Sequence, residues 1–303
     1  MDLDAAVSFM STHARVLERR RLLHLLGRAT AADVVAALDG YRNADGGYGW
    51  ALEPDLRSTT SQPVAAMHAL EVLAEVGDTT DRGPRLLDWI AGHAGTDGGV
   101  PFALPFPDTG GCAPHWAAAG PGASLTMTAQ LAAHAHRLAR HRPDVAGHPW
   151  LAAATEFCLD AVEHTTEPPH AIELMFAMRF LDTVATDSPR ARAALEKYVR
   201  FVRVDGPTPV AGGAEGEVLH PLDFTPEPGT PSREFFDAEA VAKDQERLAG
   251  EQQPDGGWTV TFTAFSPAAT LEWRGYATVA AVAALRNTGS TAAAPATGPR
   301  RAT

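Results

Sequence analysis

The chain is short of cysteine, of long apolar runs and of positive charge. Cys112 and Cys158 are the two cysteines among 303 residues, too few for a disulfide scaffold or a cysteine-rich zinc site. No stretch approaches the roughly 20 consecutive apolar residues that a membrane-spanning helix needs. Lysine and arginine total 25 against 37 aspartates and glutamates, a formal net charge of −12. Without a basic block, a nucleic-acid partner and an anionic membrane surface are both disfavoured, because phosphate groups need a positive face. No glycine-rich loop ends in Lys-Ser or Lys-Thr, so nucleotide-driven chemistry is not indicated. The N-terminus, Met1-Asp2-Leu3-Asp4, is acidic where a secretory signal is basic. A reduced, cytoplasmic location is the expectation.

What is present is a repeat. Asp-Gly-Gly occurs at Asp45-Gly46-Gly47, Asp97-Gly98-Gly99 and Asp255-Gly256-Gly257. The first two are 52 residues apart and the third follows 158 later, close to three times 52. Degenerate copies are then expected near positions 150 and 202, where Gly147-His148-Pro149-Trp150 and Asp205-Gly206-Pro207 break the chain. The first copy runs on as Trp50-Ala51-Leu52-Glu53-Pro54-Asp55 and the second as Phe102-Ala103-Leu104-Pro105-Phe106-Pro107-Asp108, aligned but for one inserted residue.

Between the breakers the pattern is helical. Helices are expected over 63–76, with Ser61 as N-cap and Gly77 as stop, and over 123–140, 150–164, 170–185, 190–203, 232–250 and 267–286. Trp258 to Thr263 alternates as a half-buried strand does. The segments 100–122 and 204–231, rich in proline and glycine, are long enough to be lids or site walls. Two helices per period of about 52 residues make about six helical hairpins. The expected fold is therefore all-α, an α/α toroid occupying 1–286 as a single domain, with a disordered tail over 287–303. Closure is preferred to an open solenoid because no polar capping repeats are evident.

Gln252-Gln253-Pro254-Asp255-Gly256-Gly257-Trp258 resembles the Gln…Gly…Trp repeat of squalene–hopene and oxidosqualene cyclases. Asn43-Ala44-Asp45-Gly46-Gly47-Tyr48-Gly49-Trp50 resembles the Asp-Gly-Gly-Phe-Gly turn of those cyclases and of protein prenyltransferase β subunits. The resemblance spans nearly the whole chain. It implies the terpenoid cyclase and prenyltransferase toroid, with chemistry in a central cavity and a small apolar, isoprenoid-type substrate. The chain departs from the family in three motifs. The Asp-x-Asp-Asp acid of class II cyclases is missing, the neighbourhood of Cys112 and His115 is not the zinc motif of the prenyltransferases, and the Cys-His-Gly motif of lanthipeptide cyclases is absent. No metal site is assigned; magnesium and zinc stay open as cofactors.

Four clusters are candidates for chemistry. Glu53 and Asp55 are two carboxylates near Arg57, either an acid raised by like-charge repulsion or an ionic cluster. His220 and Asp223 are an acid–base pair or two residues of an ordinary loop. Cys112 and His115 would need further ligands to hold a metal. Glu272, Trp273 and Arg274 put a charged pair beside a ring, with Glu272 free to pair with Arg274. The catalytic candidates are Glu53, Asp55, Asp223, His220 and Glu272, with Asp55 or Asp223 as the acid. The substrate-binding candidates are Trp50, Arg57, Phe102, Phe106, Trp116, Phe224, Trp273 and Arg274. Trp258 is read as a barrel-end plug, and His134, His136 and His141 as polar-face residues. Two other activities fit the same pattern: an α/α-barrel carbohydrate hydrolase or lyase, and a non-catalytic carrier of an apolar ligand.

Overall fold

The computed structural model describes residues 1–213 and 216–289, and they are mostly helical. Three helices open the chain: α1 (Leu3–His13), α2 (Val16–Leu25) and α3 (Ala31–Leu38). Then come α4 (Pro63–Glu75), α5 (Arg82–Ala91), a short α6 (Pro114–Ala117), α7 (Leu125–Ala139) and a short α8 (Pro143–Ala146). The second half holds α9 (Pro149–His164), α10 (Ala171–Val184), α11 (Pro189–Val199), a one-turn α12 (Pro221–Phe224), α13 (Ala238–Gly250) and α14 (Pro267–Gly289). A two-residue antiparallel pair, β1 (Thr208–Pro209) with β2 (Val218–Leu219), sits inside the long 204–231 segment.

Local chemistry accounts for most helix starts. Proline occupies the first turn of α4, α9 and α11, where its missing N–H costs nothing and its φ is already helical. Ser124, Ser188 and Asp237 cap α7, α11 and α13 with side-chain oxygens. Four expectations need correction. Ser61 is not the cap of α4; Gln62 holds that position, and the Ser61 hydroxyl donates instead to Asp45 at 2.8 Å. The 232–250 helix is interrupted, because Pro231–Phe235 forms a 3-10 turn, Phe236 is extended, and α13 starts only after Asp237. Trp258 to Thr263 is not a strand: among the described residues no strand pairs with it, and its backbone is irregular, bending at Thr261 and Phe262. The last helix continues through Gly289, so 287–289 do not belong to a tail; positions 290–303 lie outside the described residues.

Helices pack in sequence. α4 lies against α7, α7 against α10, and α10 against α12; α5, α9 and α11 form a second series behind them. α12 leans on α13 and α13 on α14, and α14 returns to pack on α2 and α1. That seam has its own apolar cluster, with Phe9, Met10, Leu22, Trp258 and Val282 all essentially sealed from solvent. Each such side chain contributes roughly 1.5–3 kcal/mol by burial.

The three Asp-Gly-Gly segments share one conformation. The first glycine has φ of +92°, +87° and +94° at Gly46, Gly98 and Gly256, a region that side chains disfavour. The aspartate accepts the N–H of the second glycine at 2.9, 3.0 and 3.2 Å. A Cβ on that second glycine would lie within 2.6–2.8 Å of a ring atom of Trp89, Phe157 or Phe9 respectively. The motif is thus a turn whose backbone lies flat on an aromatic ring of a neighbouring helix. In the third copy that helix is α1, at the other end of the chain.

Candidate functional site

α4 is apolar nearly all round, apart from His68, Glu71 and Glu75. Their i, i+3, i+7 spacing puts all three on one face, and that face meets α2 and α14. His68 Nε2 is 2.8 Å from Glu53 Oε2, and its Nδ1 is 3.5 Å from Glu71 Oε2. Tyr276 on α14 donates its hydroxyl proton to Glu71 at 2.8 Å. Arg21 on α2 binds Glu75 through Nε at 2.8 Å and Nη2 at 2.5 Å, reaches Glu71 at 3.3 Å, and stacks 5.3 Å from the Tyr276 ring centre. Burial opposes a charged His68, but the Glu53 and Glu71 carboxylates outweigh it and raise its pKa to about 9. Burial likewise opposes an ionised Glu71, yet Arg21 and His68 hold its pKa well below the usual carboxylate range. Glu75 is exposed at the end of α4 and is held by Arg21 through both carboxylate oxygens.

α7 and α10 bring three more groups towards the same region. His134 and Arg137 lie one turn apart on α7, and Arg179 lies on α10. Burial and the nearby guanidiniums depress the His134 pKa to about 3, so its imidazole is neutral. Arg179 Nε donates to the Asp223 carbonyl at 2.7 Å, and its charge is felt by His134, with Glu71 and Tyr276 also in electrostatic range. The reading of His134 and His136 as polar-face residues is therefore corrected. Both are half-buried, and His136 is 2.8 Å from the Thr155 hydroxyl, with its pKa lowered by burial to about 4.

The Glu53-Pro54-Asp55 segment enters the interior after two consecutive left-handed residues, Trp50 (φ 56°) and Ala51 (φ 57°). Such conformations cost about 1–3 kcal/mol each and persist only where surroundings enforce them; here Arg15 Nη1 clamps the Ala51 and Leu52 carbonyls at 2.8 and 3.2 Å. Glu53 and Asp55 end up buried. Asp55 accepts the Phe265 N–H at 2.8 Å and the Trp273 indole N–H at 2.7 Å. Both of its oxygens are thereby acceptors, which fixes the carboxyl between the Phe265 backbone and the Trp273 ring. Its counterpart in the repeat, Asp108, is exposed and caps a local turn, so the two do not play equivalent parts.

Aromatic rings gather around Asp55. Trp273 meets Phe262 edge-on at 5.0 Å and Tyr276 at 5.6 Å, and Tyr276 meets His68 at 5.4 Å. A second group has Phe265 meeting His115 at 6.5 Å and Phe102 stacked on Trp116 at 4.7 Å, with the Phe265 backbone N–H bonded to Asp55.

The remaining candidates are scattered. Arg57 pairs with Glu272 at 2.8 and 3.3 Å, not with Glu53 or Asp55, and Arg15 lies 3.8 Å from the same carboxylate. Arg274 pairs with Asp255 at 2.7 Å and lies 4.4 Å above the Phe9 ring, so the expected Glu272–Arg274 pair does not form. Asp223 accepts the His220 backbone N–H at 2.7 Å, while the His220 ring is 3.6 Å from Asp244; the two side chains do not form an acid–base pair. Burial raises the Asp223 pKa. Cys112 accepts the Arg57 N–H through its sulfur at 3.2 Å. Trp50 is 53% exposed, its indole bound to Asn43, and Phe224 is fully buried against Phe236. Phe106 is half-buried at the core edge. Among the described residues no three histidine, cysteine or carboxylate side chains converge as a metal site, and no helix is long and apolar enough to cross a membrane.

No protein-family model and no curated protein matches the chain. The fold is similar to that of a crystal structure of a protein from Actinoplanes, with 18% sequence identity and a TM-score of 0.58 over 95% of this chain and 98% of that one. At that identity the likeness concerns the fold alone.

Proposed function

We propose that the chain is an α/α toroid of about six hairpins and that it acts as a terpenoid cyclase-like or prenyl-transfer-like enzyme on an isoprenoid-type substrate. The observation that carries the activity is a pair of ring groups that Asp55 joins through Trp273 and the Phe265 backbone, Phe262, Trp273, Tyr276 and His68 in one and Phe265, His115, Phe102 and Trp116 in the other. Ring faces stabilise cations without offering a nucleophile that would quench them. Of the two acids considered, Asp223 suits protonation, since burial favours its neutral form. In that step the Asp223 proton passes to an alkene carbon, a carbon–carbon bond closes on the resulting cation, and the Asp223 carboxylate takes up a proton from a carbon beside the cation, leaving a neutral product and a protonated Asp223. Asp55 holds Trp273 in place and acts as a positioning residue.

The test is incubation of the protein with geranyl, farnesyl and geranylgeranyl diphosphates and squalene, with magnesium or EDTA, followed by mass spectrometry. A cyclised product that Asp223→Asn abolishes while folding normally supports the reading. Absence of turnover with all four substrates overturns it.

The Glu71/Glu75 pair favours a second reading. Two carboxylates reach the same Arg21 nitrogen, Glu71 at 3.3 Å and Glu75 at 2.5 Å, and a pair of neighbouring carboxylates is what an acid and its partner base require. A carbohydrate hydrolase or lyase would use such a pair, and reducing-sugar release from mixed polysaccharides tests for it.

A further inference from the structure

The segment joining the third Asp-Gly-Gly turn to α14 is fixed at its two ends and free of hydrogen bonds between them. At Trp258 the backbone N–H donates to the Thr278 hydroxyl on α14 at 3.0 Å, and the indole N–H donates to the Leu248 carbonyl on α13 at 2.7 Å. At Ser266 the hydroxyl accepts the Ala269 N–H at 3.0 Å, in the first turn of α14. Residues 259–264 make no hydrogen bond, main-chain or side-chain, among the described residues. Two contacts hold the stretch down. Asp55 accepts the Phe265 N–H at 2.8 Å, and Phe262 meets the Trp273 ring edge-on at 5.0 Å. Phe262 is 39% exposed and Phe265 42%, so lifting them gives up little apolar burial.

The facing wall is firmly tied. The Asp55 carbonyl accepts the Ala113 N–H at 2.8 Å, and the Cys112 sulfur accepts the Arg57 N–H at 3.2 Å. A Cβ on Gly111 would lie 3.7 Å from the Ser266 Cβ, so the stretch ends against this wall. It therefore bridges the two ring groups, touching Trp273 through Phe262 and His115 through Phe265. With it in place Asp55 is buried and Trp273 half-buried.

We propose that residues 259–265 are a strap, latched by the Asp55 carboxylate, that lifts to admit an apolar ligand between the two ring groups. Lifting breaks one hydrogen bond and one ring contact and leaves the anchors at Trp258 and Ser266 intact. Segments with so few buried contacts and hydrogen bonds open locally, well below the free energy of global unfolding. The identity of the ligand rests on the isoprenoid reading; the latch does not.

Native-state hydrogen exchange of the full chain, read by NMR at the Phe265 amide, tests the latch. Phe265 should exchange by local opening, at a rate insensitive to low urea, whereas Leu70, sealed in the middle of α4, should exchange only through urea-sensitive global opening. Thr261→Gly/Thr263→Gly replaces two exposed threonines that make no hydrogen bond. The added backbone freedom should speed Phe265 exchange roughly threefold or more and leave the melting midpoint unchanged. Stopped-flow tryptophan fluorescence with farnesol tests entry. Its association rate should rise by the same factor, because it scales with the lifted population. Phe265 exchange that follows Leu70 across urea, or that the glycines do not move, would overturn the strap, and farnesol association that the glycines leave unchanged would overturn the entry route. Absence of farnesol binding to a protein whose Phe265 amide opens locally would instead overturn the isoprenoid reading, with the strap upheld.

Discussion

The Asp55 carboxylate accepts the Trp273 indole N–H at 2.7 Å, joining residues 218 apart in the chain. One contact thus ties the first Asp-Gly-Gly segment to the last helix. Asp55→Asn keeps the shape but turns one acceptor into a donor facing a donor. A loss of about 1.5–3 kcal/mol is expected, the range for a hydrogen bond to a charged group. Trp273→Phe should cost a comparable amount, and the double variant less than the sum, because both delete one interaction. Urea unfolding of the four proteins measures this; strict additivity would mean the contact carries little energy.

Gly256 tests the seam. A Cβ there would lie 2.1 Å from the Ala5 carbonyl oxygen, at a φ of +94°. Gly27 has a similar φ of +70° but open space around it. Gly27→Ala should cost about 1–2 kcal/mol from backbone strain alone. Gly256→Ala should cost clearly more, because the backbone of α1 must move. Hydrogen exchange should then quicken in α1 and α14 before the α7–α10 region, and equal destabilisation by the two substitutions would contradict the tight packing of that turn on α1.

Punctuation was the most legible part of the sequence. Asp-Gly-Gly, proline at helix starts and the serine caps act within a few residues, so α4, α7, α9, α10 and α11 begin where the local chemistry says. The strand expected at Trp258 to Thr263 failed for the complementary reason: alternation describes a strand only when a second strand supplies hydrogen bonds. Glu272 and Arg274 are close in sequence, but two residues apart on a helix they point in different directions, and their partners, Arg57 and Asp255, are more distant in sequence. The charged interior had a signal that went unread. His68, Glu71 and Glu75 form a polar stripe on a helix otherwise built from alanine, valine, leucine and methionine. A stripe of that kind marks either solvent or a polar interior, and the position of α2 and α14 decides which.

The two cysteines should differ in reactivity. Cys158 is fully buried on α9, and burial pushes its thiol pKa up; Cys112 is half-buried in the 100–122 segment. A thiol-specific chromogenic disulfide should modify Cys112 in the native protein and reach Cys158 only on unfolding. Cys112→Ala should therefore abolish the native-state reaction. Retention of one fast-reacting thiol in that variant would mean that α9 opens readily.

His68 should make stability fall as pH rises above neutrality. Its pKa is about 9 in the folded protein, against about 6.5 for a free histidine. Below pH 6.5 both states are protonated and the full contribution of the Glu53–His68–Glu71 arrangement is present. Between about 6.5 and 9 the folded state holds a proton that the unfolded state has released, so stability declines by up to about 1.4 kcal/mol per pH unit. Glu53, Glu71 and Tyr276 surround the ring; Glu71 is held below the usual carboxylate range and Tyr276 above the usual phenol range, so neither changes its charge in that window. His134 and His136 act on the acid side. Their folded pKa values of about 3 and 4 lie below the free value, so their contribution is present above pH 6.5 and is lost as pH falls towards 3–4. Urea unfolding of the parent and of His68→Gln from pH 5 to 9.5 separates the two effects. The parent should lose its advantage over the variant progressively above pH 6.5, whereas their difference should hold steady from pH 5 to 6. A difference that stays constant through pH 9 would show that His68 is neutral in the fold.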